Sequence, residues 1–141
     1  MKIEKSYLHK QLLIILLVTA LVGVGIRLTF PPYFNIGKIQ PVASYSSTKL
    51  FNSFVDNPID AQGRLGGKAI LLEGEITGLD ENMILMGVGM EIIRVKLIHD
   101  WRYKIPEYKY GDHILIKGIC QGIDLSEVLV SHSLIVTVMG K

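Results

Sequence analysis

The residues best suited to chemistry crowd into one stretch, His99-Asp100-Trp101-Arg102-Tyr103-Lys104, which continues through Tyr108-Lys109-Tyr110. Aromatic and basic side chains alternate there. A single-stranded nucleic acid is held by that combination, rings stacking on bases and cations meeting phosphates. Arg94 and Lys96, on the outer side of the strand that precedes the stretch, extend the patch. Trp101, Arg102 and Tyr103 are its centre, with Trp101 the strongest stacker and the natural interface anchor. Asp100, Glu107 and Asp112 dilute its charge. The plainer reading is that the rings cover an open end of a barrel while the cations stay solvated. After it come a protein or ligand contact and, last, nucleic acid.

The remaining chemistry-bearing residues are less promising. Cys120 falls in phase with Ile116 on an inward face, where a thiol is a small buried hydrophobe. His113 and His132 lie on neighbouring strands, but two histidines without a third ligand make a poor zinc site. Glu73 and Glu75 share one strand face and read as a charged, solvated surface more readily than as a catalytic pair. No serine has a suitable partner, and no glycine-rich loop opens a helix as a phosphate cradle requires. The expectation is a protein that is not an enzyme and carries neither cofactor nor metal.

These residues are carried by a chain with a marked N-terminus. Leu12 to Ile26 is an apolar run without a charge, with Lys2, Lys5, His9 and Lys10 before it and Arg27 after it. It is about 15 residues long, or about 19 if Arg27 snorkels and Leu28 and Phe30 are counted, the short end for a membrane-spanning helix. The basic flank favours a cytoplasmic N-terminus. A retained anchor is preferred to a cleaved signal peptide, because Thr19-Ala20 and Gly23-Val24-Gly25 form no convincing cleavage site. Either way the rest of the chain is expected outside the cytoplasm.

The whole chain has a net charge of +2, but most of the excess is N-terminal. Residues 45–141 hold ten basic and twelve acidic side chains, a net of −2. That balance counts against a general nucleic-acid binder, which presents a basic surface. The lone Cys120 allows no internal disulfide, so stability must come from packing.

Four segments follow: a cytoplasmic N-terminus (1–11), a transmembrane helix or uncleaved signal anchor (12–30), a linker rich in proline (31–45) and a folded domain (46–141). The domain starts with a helix over Ser47 to Asp56, capped by Ser46, Ser47 or Thr48, with Leu50, Phe51, Phe54 and Val55 on one face. Asn57-Pro58 opens a second turn, which turns Ala61 and Leu65 inward and ends at Gly66-Gly67. From Lys68 the period switches to strict alternation. Ile70, Leu72, Gly74 and Ile76 share one face of a first strand, where Gly74 suggests a bend or bulge. Short strands follow at Met83 to Met86 and around Ile93, Val95 and Leu97. After a long connection, Ile114, Ile116, Gly118 and Cys120 point inward from a fourth strand. A fifth runs from about Val128 to Val138. The fold class is mainly β: a five-stranded, OB-fold-like Greek-key barrel preceded by a short helix, with an SH3-like barrel as the alternative.

The order Leu50-x3-Phe54-x2-Asn57-x3-Ala61, Gly67-Lys68 and Glu73-Gly74-Glu75-Ile76 resembles the tRNA-anticodon-binding-like family of small bacterial OB-fold proteins. So do Tyr110-Gly111-Asp112-His113-Ile114, Lys117-Gly118-Ile119-Cys120-Gln121-Gly122, and Val128-Leu129-Val130 followed by Leu134-Ile135-Val136. The resemblance spans Thr48 to Val138. It implies a membrane-anchored or exported protein with one OB-fold domain, and no transferable activity or binding residues. Relatives often carry a cysteine near the position of Ser133, so the resemblance puts a disulfide to Cys120 in doubt here. Together these readings place the chain in a bacterial inner membrane, with a periplasmic domain that binds an envelope protein.

Overall fold

In the computed structural model, which describes residues 9–20, 35–99 and 104–140, alternation along the chain becomes the wall of a barrel. Strand β2 (Ala69–Asp80) buries Ile70, Leu72, Gly74 and Ile76 and exposes Glu73 and Glu75. The same rhythm runs through β3 (Met83–Met86), β4 (Ile92–Leu97), β5 (His113–Asp124) and β6 (Glu127–Val138). β2 pairs antiparallel with β3 and β3 with β4. β4 lies parallel to β6, β6 antiparallel to β5, and β5 returns antiparallel to β2. Five strands thus close on themselves in the order of an OB-like barrel, and no barrel edge is left to pair with another chain. The interior is aliphatic: Ile70, Leu72, Ile76, Ile84, Ile93, Val95, Ile114 and Ile116 are fully buried.

Two helices lead directly into the barrel. α1 (Ser47–Asp56) is capped by Ser46, whose hydroxyl accepts from the Lys49 N–H. α2 (Pro58–Leu65) is capped by the Asn57 side chain, with proline in its first turn. Leu50 and Phe54 of α1 and Ala61 and Leu65 of α2 join the barrel core. Phe51 is only half-buried and Val55 is 56% exposed, so the apolar stripe of α1 is narrower than its spacing suggests. Gly74 is regularly paired with Ile114 rather than bulged, and the irregularity in β2 falls between Ile76 and Gly78. Gly74 leaves little room: a Cβ there would lie 2.8 Å from both the Ser47 hydroxyl oxygen and Met86 Cε, and those side chains would have to shift.

The segment read as a proline-rich linker contains structure. Ile36–Lys38 forms a 3-10 turn, and Ala43–Ser46 forms β1, parallel to β2 in the register Ala43 to Ile70 through Ser46 to Glu73. Ile36 is fully buried with Ala69 and Ile119 on the outside of the barrel wall. Periodicity cannot reveal such a strand, because four residues held by backbone pairing to a distant neighbour need no apolar alternation. Asn35 to Lys141 accordingly forms one compact unit and Met1 to Phe34 the other.

In the N-terminal unit, residues 9–20 are helical. The Thr19 hydroxyl donates to the carbonyls of Ile15 and Leu16, which satisfies the polar group within the apolar run. Twelve helical residues reach about 18 Å. Among the described residues no helix is long and apolar enough to cross a membrane, so the membrane-spanning helix expected over 12–30 is not found there. The remainder of that span, from residue 21, lies outside the described residues.

Candidate binding groove

The five residues singled out for the binding face do not share one fate. Trp101, Arg102 and Tyr103 lie outside the described residues. Arg94 faces outward from β4 and forks onto Glu127 of β6, with Nε donating to Oε2 at 2.8 Å and Nη2 to Oε1 at 2.9 Å. That two-bond grip, with the carboxylate charge behind it, raises the guanidinium pKa further above its ordinary value. It joins two parallel strands and occupies the cation. Lys96, opposite Met83 on the neighbouring strand, is exposed and has no ion pair among the described residues. The turns that flank the binding face of an OB-like barrel are acidic here, with Asp80 and Glu81 between β2 and β3 and Asp124 and Glu127 between β5 and β6.

The connection from β4 to β5 does partly what its rings suggested. Tyr108 packs against the core, whereas Tyr110 is 69% exposed. Asp112 is buried and accepts the Lys109 N–H at 2.9 Å. Its own carbonyl accepts from the Ile76 N–H, and the Gly111 N–H donates to the Ile76 carbonyl. The Gly-Asp pair is therefore a structural clasp that fastens the connection to β2.

Tyr110 stands beside a groove of about 430 Å³. Thr77, Leu85 and Ile92 line it from β2, β3 and β4; Val88, between Gly87 and Gly89, lines it from the β3–β4 turn, and Glu75 also contributes. The Thr77 hydroxyl donates to the Leu85 carbonyl at 3.3 Å, so its polarity is already satisfied. Gly87 has a φ of 117°, and a Cβ there would collide with the Glu91 carbonyl oxygen. The tight turn that holds Val88 thus requires glycine. Glu75 is exposed and has no hydrogen bond or ion pair among the described residues. Its neighbour on the same strand face, Glu73, lies 3.5 Å from His113 Nε2. Sequence reasoning passed over Thr77, Leu85 and Ile92 because each belongs to a different strand. Their proximity follows from register alone.

Other candidates disperse. His113 is at the start of β5, against the end of β6, whereas His132 lies next to Ser131, which pairs with Ile119. The two histidines are not brought together, and no cluster of metal-ligating side chains occurs among the described residues. Ser131 accepts from Gln121 Nε2 at 2.7 Å, and its hydroxyl is 3.0 Å from Nδ1 of His132. These are chain neighbours at an irregularity of β6, where His132 has a φ of 49°. Cys120 is a free, buried thiol, and burial pushes its pKa up to about 11. Ser133 is also buried, its hydroxyl donating to the Ser131 carbonyl.

No family model matches the chain, and no curated protein matches it in sequence. Solved structures do resemble it. A crystal structure of a "putative nucleic acid-binding lipoprotein" from Klebsiella pneumoniae subsp. pneumoniae matches 77% of this chain and 100% of its own, with 16% identity and a TM-score of 0.54. The telomere capping protein Ten1 from Saccharomyces pombe matches over 69% of this chain and 78% of its own, with 8% identity and a TM-score of 0.39. The first likeness supports the OB-like barrel and speaks for the fold alone.

Proposed function

We propose that this chain is a membrane-tethered, non-catalytic interaction module of the bacterial cell envelope, of the tRNA-anticodon-binding-like kind, that binds a protein partner through the outer face of its barrel. The observation that carries this reading is the groove across β2, β3 and β4. It is an open surface of mixed polar and apolar lining, with an exposed ring and a charge that has no partner among the described residues, beside a barrel interior that is closed. Exposed aromatic and aliphatic side chains beside a charge are the make-up of a protein interface. The apolar run Leu12 to Ile26, flanked by Lys10 and Arg27, supports the tether. Confinement at a membrane raises the effective concentration of a weak binder.

In-cell crosslinking of the full-length, tagged protein tests this. The expected result is one discrete envelope protein, diminished when Lys96→Glu or Trp101→Ala is introduced and the melting temperature holds. Self-crosslinks alone would overturn it.

A second reading is a binder of single-stranded nucleic acid, or of an oligosaccharide, on the same face; the description of the Klebsiella protein as nucleic acid-binding favours its nucleic-acid half. Lys96 supports it; the acidic turns and the Arg94–Glu127 pair oppose it. Titrating oligo-dT against the intrinsic fluorescence of Trp101, the only tryptophan, distinguishes the two. A salt-sensitive quench would favour nucleic acid.

A further inference from the structure

The geometry points to an extended peptide segment bearing a lysine or arginine side chain as the occupant of the groove formed by Glu75, Thr77, Leu85, Val88, Ile92 and Tyr110. This rests on the reading of the chain as a protein-binding module and names the chemistry of its partner. The three residues contributed by neighbouring strands offer aliphatic or already satisfied surface. Tyr110 contributes a ring that is 69% exposed, and Val88, at 77%, is more exposed still.

The charge decides the occupant. Among the described residues Glu75 is the one charged side chain lining the groove, and it has no partner among them. Glu73 beside it has His113 Nε2 at 3.5 Å, whereas Glu75 has no such neighbour among the described residues. A carboxylate and a tyrosine ring lining one groove suit an ammonium or guanidinium group, by a charge-assisted hydrogen bond and cation–π attraction. The same carboxylate repels a phosphate. The groove is open to solvent, so it does not enclose a small molecule on most sides as a ligand pocket does. A strand-like segment fits better. Its alternate side chains point the same way, which sets aliphatic groups on Leu85 and Ile92 and a cation at Glu75.

A random decapeptide library passed over the full chain held in detergent micelles tests the assignment, with Glu75→Gln and Tyr110→Ala run beside it. Sequences retained by the unaltered protein are expected to be enriched in lysine or arginine flanked by aliphatic residues. A resynthesised peptide should lose about tenfold in affinity on Glu75→Gln, the scale of one charge-assisted hydrogen bond. Because Glu75 is exposed and unpaired, that variant should melt with the unaltered protein. Retained peptides without basic enrichment, or an empty library, would overturn the assignment. Basic peptides retained equally by Glu75→Gln would overturn it too, while leaving the module reading intact. Binding of oligo-dT in place of any peptide would remove both.

Discussion

The inner and outer faces of the same strands do opposite work in this protein. On β2 the inward Ile70, Leu72 and Ile76 are fully buried, while Glu73, Glu75 and Thr77 between and beyond them face outward. Inside β2 the buried side chains are apolar, and the identity of each neighbour matters little provided volume is kept. Outside, the charges differ in what surrounds them. Arg94 is clamped by Glu127, whereas Glu75 has no partner among the described residues and lines a groove. A charged residue on a barrel is thus informative only once its partner is known. Arg94, placed in a binding patch by its spacing, is paired with Glu127; Glu75, read as a solvated charge, lines the groove without a partner among the described residues.

Breaking the inner face should have the largest effect. Ile116, fully buried between Leu72 and Ile135 in register, should cost about 2–5 kcal/mol when changed to alanine, measured by urea unfolding. A loss below about 1 kcal/mol would mean that the interior is loosely packed.

The next effect is a pH dependence from the same interior. Burial raises the Cys120 thiol from 9.0 to about 11, against a smaller lowering by the Gly122 backbone. The unfolded thiol ionises first, so the contribution is complete below about pH 9. It is lost as pH rises from there through about 11. Native protein at pH 8 should therefore resist a thiol reagent that labels it promptly in denaturant. Prompt native labelling would place Cys120 on the outside of the comparison.

The smallest effect lies on the exterior. The turn between β5 and β6 holds Leu125 and Ser126 at φ 46° and 74°, the left-handed conformation of a tight hairpin that asparagine and glycine adopt more easily. Leu125 is 92% exposed, so the double change Leu125→Asn, Ser126→Gly forfeits no burial. It should gain about 0.5–1 kcal/mol, read as a higher melting temperature.

Most of the barrel was legible along the chain because alternation is a local property. Ile93, Val95 and Leu97, then Ile114, Ile116 and Cys120, are buried as their spacing demands, and Ser46 and Asn57 cap the helices. Strand β1 and the 3-10 turn at Ile36 were hidden in a segment whose prolines suggested a linker. The candidate site was legible only in part. The sequence brought forward Tyr110 as a ring near cations, but not Thr77, Leu85 or Ile92, whose meeting depends on the pairing of three strands.

By itself the sequence determined which side chains of the barrel strands face in, where the two helices before the barrel begin, and that an uncharged apolar run precedes the domain. Each of these follows from neighbours a few residues away. Tertiary structure alone decided that β4 runs parallel to β6, that Arg94 is held by Glu127 thirty-three residues on, and that Glu75 and Tyr110 share a groove. The physical reason is that burial is set by local periodicity. The partner of a charge or a ring is set by closure of the sheet, which brings together residues that have no relation along the chain.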